Sequence, residues 1–143
     1  MYGQCLCGAI AFEVKPPTKW SAHCHCHLCR QAHGAAFVTW FGVESQQVKL
    51  MHDDNMLHWY ASSDAGERGF CRNCGSTIFF RSERWPGELH IVLANMCDPI
   101  DREVSAHVYF DRHVSWIRNF DKLNQLGGEN GTTPLKSIDP DLN

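Results

Sequence analysis

The eight cysteines of this 143-residue chain fall mainly into three groups whose spacing suits metal ligation. The densest is His23-Cys24-His25-Cys26-His27-Leu28-Cys29-Arg30, with three thiols and three imidazoles in one run. Cys71-Arg72-Asn73-Cys74-Gly75 sets two thiols three residues apart on a turn, with a glycine placed to take a left-handed backbone. Cys5-Leu6-Cys7-Gly8 puts two thiols on one face of an extended segment, and the flanking glycines allow a tighter turn. Soft ligands at this density favour zinc and related ions over core packing. The even count leaves four disulfides formally possible. Pairs as close as Cys5/Cys7 and Cys24/Cys26, however, crowd thiols too tightly for independent bridges. The first residues carry neither a basic nor an apolar leader region, so the expectation is metal ligation in a reducing, cytoplasmic setting.

Cys5, Cys7, Cys71 and Cys74 together satisfy a closed tetrahedral shell from two distant segments, and are expected to form a structural zinc staple. A structural zinc contributes ~10–16 kcal/mol in zinc-finger peptides. Set against a net domain stability of ~5–15 kcal/mol, its loss should unfold the chain. Cys24, Cys26 and Cys29 are then one ligand short of a second zinc shell. Either His23, His25, His27 or His33 closes that site, or its fourth position serves water or substrate, as in catalytic zincs. Three thiolates donate heavily to the ion, so it should acidify water less than a three-histidine site does and welcome a fourth sulfur. A small thiol is the expected partner. This second site is also the one expected to be partly occupied.

Other residues have two readings each. His25 and His27, tethered beside the ligands, are candidates for proton transfer; the alternative is solvent-facing residues of a crowded turn. Arg30 and Arg68 are candidates for pairing with substrate carboxylates, with structural pairing as the alternative. Phe37 and Trp40 read as core, and Cys97, standing alone, as buried packing. His52, His58, His90, His107 and His113 are scattered and receive no role.

Charge and hydropathy narrow the class. A net charge of −3 gives no basic footprint for nucleic acid, and no run approaches a membrane-spanning length. Alternation predicts strands over 9–14, 20–23, 35–41, 46–51, 56–61, 76–81, 88–94 and 106–110, with the strands at 46–51 and 56–61 forming a hairpin. One helical turn at 30–33 is closed by Gly34, residues 62–66 read as a loop, and residues 113–122 are helical or irregular. The expected fold is mainly β, with antiparallel sheets and few short helices. A single domain is expected over residues 1–126, followed by a loosely ordered tail over 127–143.

Gly3-x-Cys5-x-Cys7-Gly8, Cys24-x-Cys26-x-x-Cys29-Arg30 with Gly34, and Gly69-Phe70-Cys71-x-x-Cys74-Gly75-Ser76 resemble the family of glutathione-dependent formaldehyde-activating enzyme and centromere protein V. Trp59-Tyr60-x-Ser62-Ser63 ahead of Arg68, Asp98, and His107 with Arg112 and Trp116 extend the likeness over about residues 2–122. The resemblance implies a β-tent fold and a zinc-dependent carbon–sulfur lyase resembling S-(hydroxymethyl)glutathione synthase. It implies Cys5, Cys7, Cys71 and Cys74 as structural-zinc ligands, and Cys24, Cys26 and Cys29 as the catalytic ones. Glutathione and formaldehyde are the implied substrates. The alternatives are a non-catalytic zinc β module for protein interaction, or a redox or metal sensor built on the oxidisable cluster.

Overall fold

The computed structural model describes residues 1–53 and 55–117, together with the backbone of 126–127 and 133–134. The chain divides into two compact units, Met1–His113 and Val114–Asn143. Within the first unit, β1 (Tyr2–Gln4), β2 (Ala11–Val14) and β5 (Val48–His52) form a three-stranded antiparallel sheet. A seven-stranded sheet runs in the order β10 (Ala106–Val108), β3 (Trp20–Cys24), β4 (Val38–Glu44), β9 (Glu88–Val92), β8 (Thr77–Ser82), β7 (Gly66–Cys71) and β6 (Leu57–Ser63). All its neighbours are antiparallel except β10, which lies parallel to β3. The single α-helix among the described residues, α1 (His27–His33), follows β3 directly. In the second unit, β11 (Leu126–Gly127) pairs with β12 (Thr133–Pro134). The fold is thus mainly β, as the alternation of apolar residues predicts.

Strand period places the core. On β4, Phe41 and Val43 face inward and are fully buried; on β9, Ile91 does the same, and on β8, Phe79. They meet Phe12 and Val14 of β2 in one apolar cluster, with the Phe12 and Phe79 rings edge to face at 5.0 Å. The alternate residues, Trp40 on β4, His90 and Val92 on β9 and Phe80 on β8, face the other side of the same sheet. That second face carries the candidate site.

Register aligns one row across this face. Trp20 pairs with Gly42, Gly42 with His90, His90 with Phe80, and Phe80 with Arg68. Gly42 is the gap in the row. A Cβ built there would strike the Trp20 indole and come within 2.8 Å of Glu88 Oε1, so the glycine lets the indole lie flat across β4.

Several elements differ from the sequence expectation. β5 and β6 do not form a hairpin: β5 pairs with β2 in the small sheet and β6 with β7 in the large one, so the segment between them carries the chain from sheet to sheet. The expected loop at 62–66 is instead the turn of the β6–β7 hairpin. β7, Gly-Glu-Arg-Gly-Phe-Cys, has too little β-propensity to announce itself, and its two neighbours impose its conformation. β1, ahead of Cys5, is a strand where the alternation predicts none. The helix begins three residues earlier than expected, because Cys26 caps it. Of the segment 113–122, residues 113–117 contain no helix and 118–122 lie outside the described residues, as does most of 127–143.

Replacing Gly42 with alanine should lower stability by about 1–3 kcal/mol, an overpacking cost, although glycine-to-alanine changes in ordinary strands are neutral or favourable. Denaturant unfolding measures this. An unchanged midpoint with unchanged tryptophan fluorescence would show that Trp20 is not seated over Gly42.

Candidate functional site

The four sulfurs of Cys5, Cys7, Cys71 and Cys74 lie within 4.8 Å of one another. Cys5 follows β1 and Cys71 ends β7, so the group ties the small sheet to the large one. Both segments fold back under a bond from the first cysteine's amide to the carbonyl five residues on, with an inner turn one residue longer at Cys71 than at Cys5. Cys5 N–H donates to Ile10 C=O at 3.0 Å and Gly8 N–H to Cys5 C=O at 3.0 Å; Cys71 N–H donates to Ser76 C=O at 2.9 Å and Gly75 N–H to Cys71 C=O at 2.8 Å. Gly8 and Gly75 hold φ of 77° and 78°, which permits the turn without Cβ strain. The Ile10 amide donates to Cys5 Sγ at 3.3 Å and Asn73 Nδ2 to Cys7 Sγ at 3.2 Å. Such donors stabilise sulfur as the anion. Burial opposes ionisation of Cys74, yet the Ser76 hydroxyl and amide outweigh it and hold that thiol at about 6. Cys71, buried and poorly compensated, is pushed up to about 11 by desolvation.

The geometry can be tested against zinc. Tetrahedral ligation with Zn–S near 2.3 Å requires sulfur–sulfur separations of about 3.8 Å. Cys5–Cys7 and Cys7–Cys71 measure 3.6 and 3.9 Å, and Cys24–Cys29 in the second group measures 3.7 Å. Both groups fit such an ion.

Cys24, Cys26 and Cys29 form the second group, again with sulfurs within 4.8 Å of one another. Cys24 ends β3, Cys26 is the N-cap of α1, and Cys29 sits in the first turn with its amide donating to Cys26 Sγ at 3.3 Å. Strand end, cap and first turn thus aim three sulfurs at one point. Contacts with Cys24 and Cys29 push the Cys26 thiol down to about 2, helped by the Cys29 amide and the Arg68 charge. The same contacts hold Cys24 protonated well above the ordinary thiol range.

Arg68, a candidate either for substrate carboxylates or for structural pairing, is 5% exposed and takes the second course. Its NH2 donates to Cys29 Sγ at 3.3 Å and its NH1 to Ser62 Oγ at 2.7 Å, while the guanidinium lies 4.9 Å from the centre of the Phe80 ring. A buried arginine on a cysteine sulfur is a charge-assisted donor in a low-dielectric setting.

The sulfurs open on a cavity of about 980 Å³. Its floor is the second face of the large sheet, with Trp40, Phe80 and His90; His27 and Leu28 of α1, Val108 at the end of β10, Tyr109, Trp20 and Trp85 also line it. Trp40, expected in the core, is buried on this cavity side. Among the described residues no imidazole nitrogen lies with the three sulfurs in one ligand group. His25 is buried away from the cavity, with Nε2 2.9 Å from His107 Nδ1 and its ring against Phe37 and Phe110. His27 is exposed and lines the cavity. His33 packs edge-on against Trp40, and burial, then the Arg68 charge, hold its ring near 4. Arg30 is turned to the His25 carbonyl at 3.2 Å. Cys97 is exposed, not buried.

Residues 1–112 match the family described as glutathione-dependent formaldehyde-activating enzyme. The chain belongs to that family. A Halomonas elongata protein, provisionally named as such an enzyme, is 25% identical over 122 residues, which cover 80% of this chain and 78% of the relative. An uncharacterized lyase of Schizosaccharomyces pombe is 33% identical over 78 residues, 54% of this chain and 55% of the relative, so the shared stretch spans about half of that protein. A crystal structure of a Rhodobacter sphaeroides protein shares the fold, with a TM-score of 0.59 and 23% identity over 75% of this chain and 99% of that one. Family membership supports an enzyme related to glutathione and formaldehyde chemistry. No helix among the described residues is long and apolar enough to cross a membrane.

For a family member built this way, Arg68→Met should weaken metal at Cys24, Cys26 and Cys29 by about 10–100-fold, the usual effect of losing a group that supports a ligand. Metal at Cys5, Cys7, Cys71 and Cys74 should be unaffected. Chelator competition separates the two, and equal loss from both groups would refute a specific role for the guanidinium.

Proposed function

We propose that this chain is a zinc-dependent enzyme that adds a small thiol to a small aldehyde, or cleaves the carbon–sulfur bond of their adduct. Glutathione and formaldehyde are the pair that family membership supports. The observation that carries the reading is a trio of sulfurs lining a sizeable cavity, with no imidazole in their ligand group. Cys5, Cys7, Cys71 and Cys74 hold a structural ion in this reading, and Cys24, Cys26 and Cys29 hold the second. The functional domain spans residues 1–126, and eight free cysteines suit a reducing compartment such as the cytoplasm.

When bound at Cys24, Cys26 and Cys29, zinc supplies Lewis-acid stabilisation to a substrate thiolate or to the oxygen of the adduct. The chain's own residues do the rest. Three thiolates with a divalent ion carry net charge −1, and the Arg68 guanidinium on Cys29 brings the local sum to zero. An arriving thiolate then meets less repulsion than an uncompensated trio would give. The cavity walls hold thiol and aldehyde together, and such confinement replaces a bimolecular encounter by an oriented one. In the forward step the thiolate forms the carbon–sulfur bond, the carbonyl π pair moves to oxygen, and that oxygen takes a proton. The reverse step returns the proton and releases thiolate and aldehyde. His27, on the cavity side of the ligand run, is the residue we assign to that proton.

Two cysteine variants separate the sites. Cys74→Ser should lose the fold, whereas Cys26→Ser should stay folded and lose only the second ion; metal analysis with thermal unfolding reads both. Wild-type protein should accelerate exchange between formaldehyde and its glutathione adduct, followed by NMR, and Cys26→Ser should not. Absence of acceleration in the wild type would remove the thiol–aldehyde reading and leave a non-catalytic zinc module or a sensor. Equal unfolding of both variants would remove the division into structural and catalytic ions.

A further inference from the structure

Trp20, Trp85 and His90 form an aromatic wall of the cavity with a fixed geometry, and Phe80 lies between it and Arg68 on the sulfurs. Trp20 Nε1–H donates to Glu88 Oε1 at 2.7 Å, and the indole lies across Gly42, where any Cβ would displace it. The indole meets the His90 ring edge-on at 4.7 Å, and His90 is flanked by Phe80 at 5.5 Å and Trp85 at 5.2 Å. Glu88 is itself pinned: His90 Nε2 lies 3.0 Å from Oε1 and Lys19 Nζ lies 2.7 Å from Oε2. Lys19 also reaches Glu44 at 2.7 Å. These polar contacts orient the indole.

The wall carries no free cation. Lys19 is shared by Glu44 and Glu88, and burial holds His90 below its ordinary pKa, against the opposing pull of Glu88, so that its ring is neutral near pH 7. Arg68, the other cation in this row, is engaged by Ser62 and Cys29. Neither cation is free to receive a carboxylate, and burying one without a partner is costly. Glutathione's carboxylates therefore fit this wall poorly; the exposed cavity-lining arginines, Arg84 and Arg112, suit them better.

Distance completes the case. Trp20 and Cys24 lie on the same face of β3 four residues apart, about 13 Å at the usual strand rise. A hydroxymethyl group on a sulfur held at the cysteine end does not reach the wall, whereas a ring on the carbon next to that sulfur extends toward it. We infer that the cavity has a second subsite, formed by Trp20, Trp85 and His90 with Phe80 between it and the sulfurs, which takes an aromatic or bulky apolar group from the aldehyde-derived half of a thiol adduct. This inference rests on the thiol-adduct reading of the same site and extends its substrate class beyond formaldehyde.

S-benzylglutathione and S-methylglutathione are stable thioethers that differ only in the group offered to the wall. Calorimetric titration of the metal-loaded protein should show the benzyl compound binding at least about tenfold more tightly, a modest return for burying a phenyl ring. Trp85→Ala removes an exposed wall residue, and Trp20→Phe removes the bond to Glu88; each should lower S-benzylglutathione affinity more than S-methylglutathione affinity and so bring the ratio toward one. Circular dichroism checks that each variant is folded, and either folded variant suffices. Equal binding of the two thioethers by the wild type overturns the subsite and leaves the thiol reading intact. A preference retained in the folded variants also overturns it. Binding of neither compound overturns the thiol reading, and the subsite with it.

Discussion

Anionic sulfur in an apolar setting needs compensation, and much of this structure follows from how that need is met. Cys24 and Cys29 are almost fully buried against Val38, Trp40 and Val92, surroundings that penalise a thiolate. Compensation comes to Cys29 from Arg68 on β7, which the sheet order brings within 3.3 Å of a sulfur 39 residues earlier, and to the adjoining Cys26 from the Cys29 amide at the start of α1. Arg68 in turn must be buried, so it needs Ser62 on the hairpin partner strand and the face of Phe80. Helix start, hairpin and sheet order are thus all tied to one charged group.

The two faces of the seven-stranded sheet divide the labour. One face buries Phe41, Val43, Phe79 and Ile91 against Phe12 and Val14 and provides the hydrophobic stabilisation. The other shares the same strands, residue for alternate residue, and is free to line a cavity because the first face already secures the fold. The Cys5, Cys7, Cys71, Cys74 group adds a link between the two sheets, where turn amides position and polarise the sulfurs.

Local signals were legible in the sequence and long-range ones were not. The cysteine spacings identified both sulfur groups, and period-two alternation located β3, β8 and β9 within a residue or two. Gly34 correctly closed α1, with φ of 58°. β7 was not legible, since its two glycines and two charged residues suit a strand only when flanked by β6 and β8. The supposed β5–β6 hairpin failed for a related reason: both strands were found, but local sequence does not say which sheet each one joins. The burial of Arg68 and the cavity side of Trp40 depend on partners distant in sequence. His90 carries a signal of its own, a polar residue alternating with Leu89 and Ile91, which marks a strand whose second face is not simply solvent.

The contrast between the two sulfur groups supports the proposal that one is structural and the other reactive. Around Cys5, Cys7, Cys71 and Cys74 the donors are neutral: turn amides, the Asn73 amide and the Ser76 hydroxyl. Four thiolates on a divalent ion give net charge −2, and neutral dipoles spread over a tight double turn stabilise that charge without inviting a further anion. Around Cys24, Cys26 and Cys29 there is one sulfur fewer and one formal cation more. The resulting local charge is two units more positive, −2 against 0, and this is the difference an incoming thiolate would meet. Ligand number and a single buried arginine therefore act in the same direction, which makes the second group the electrostatically favoured place for an anionic sulfur substrate.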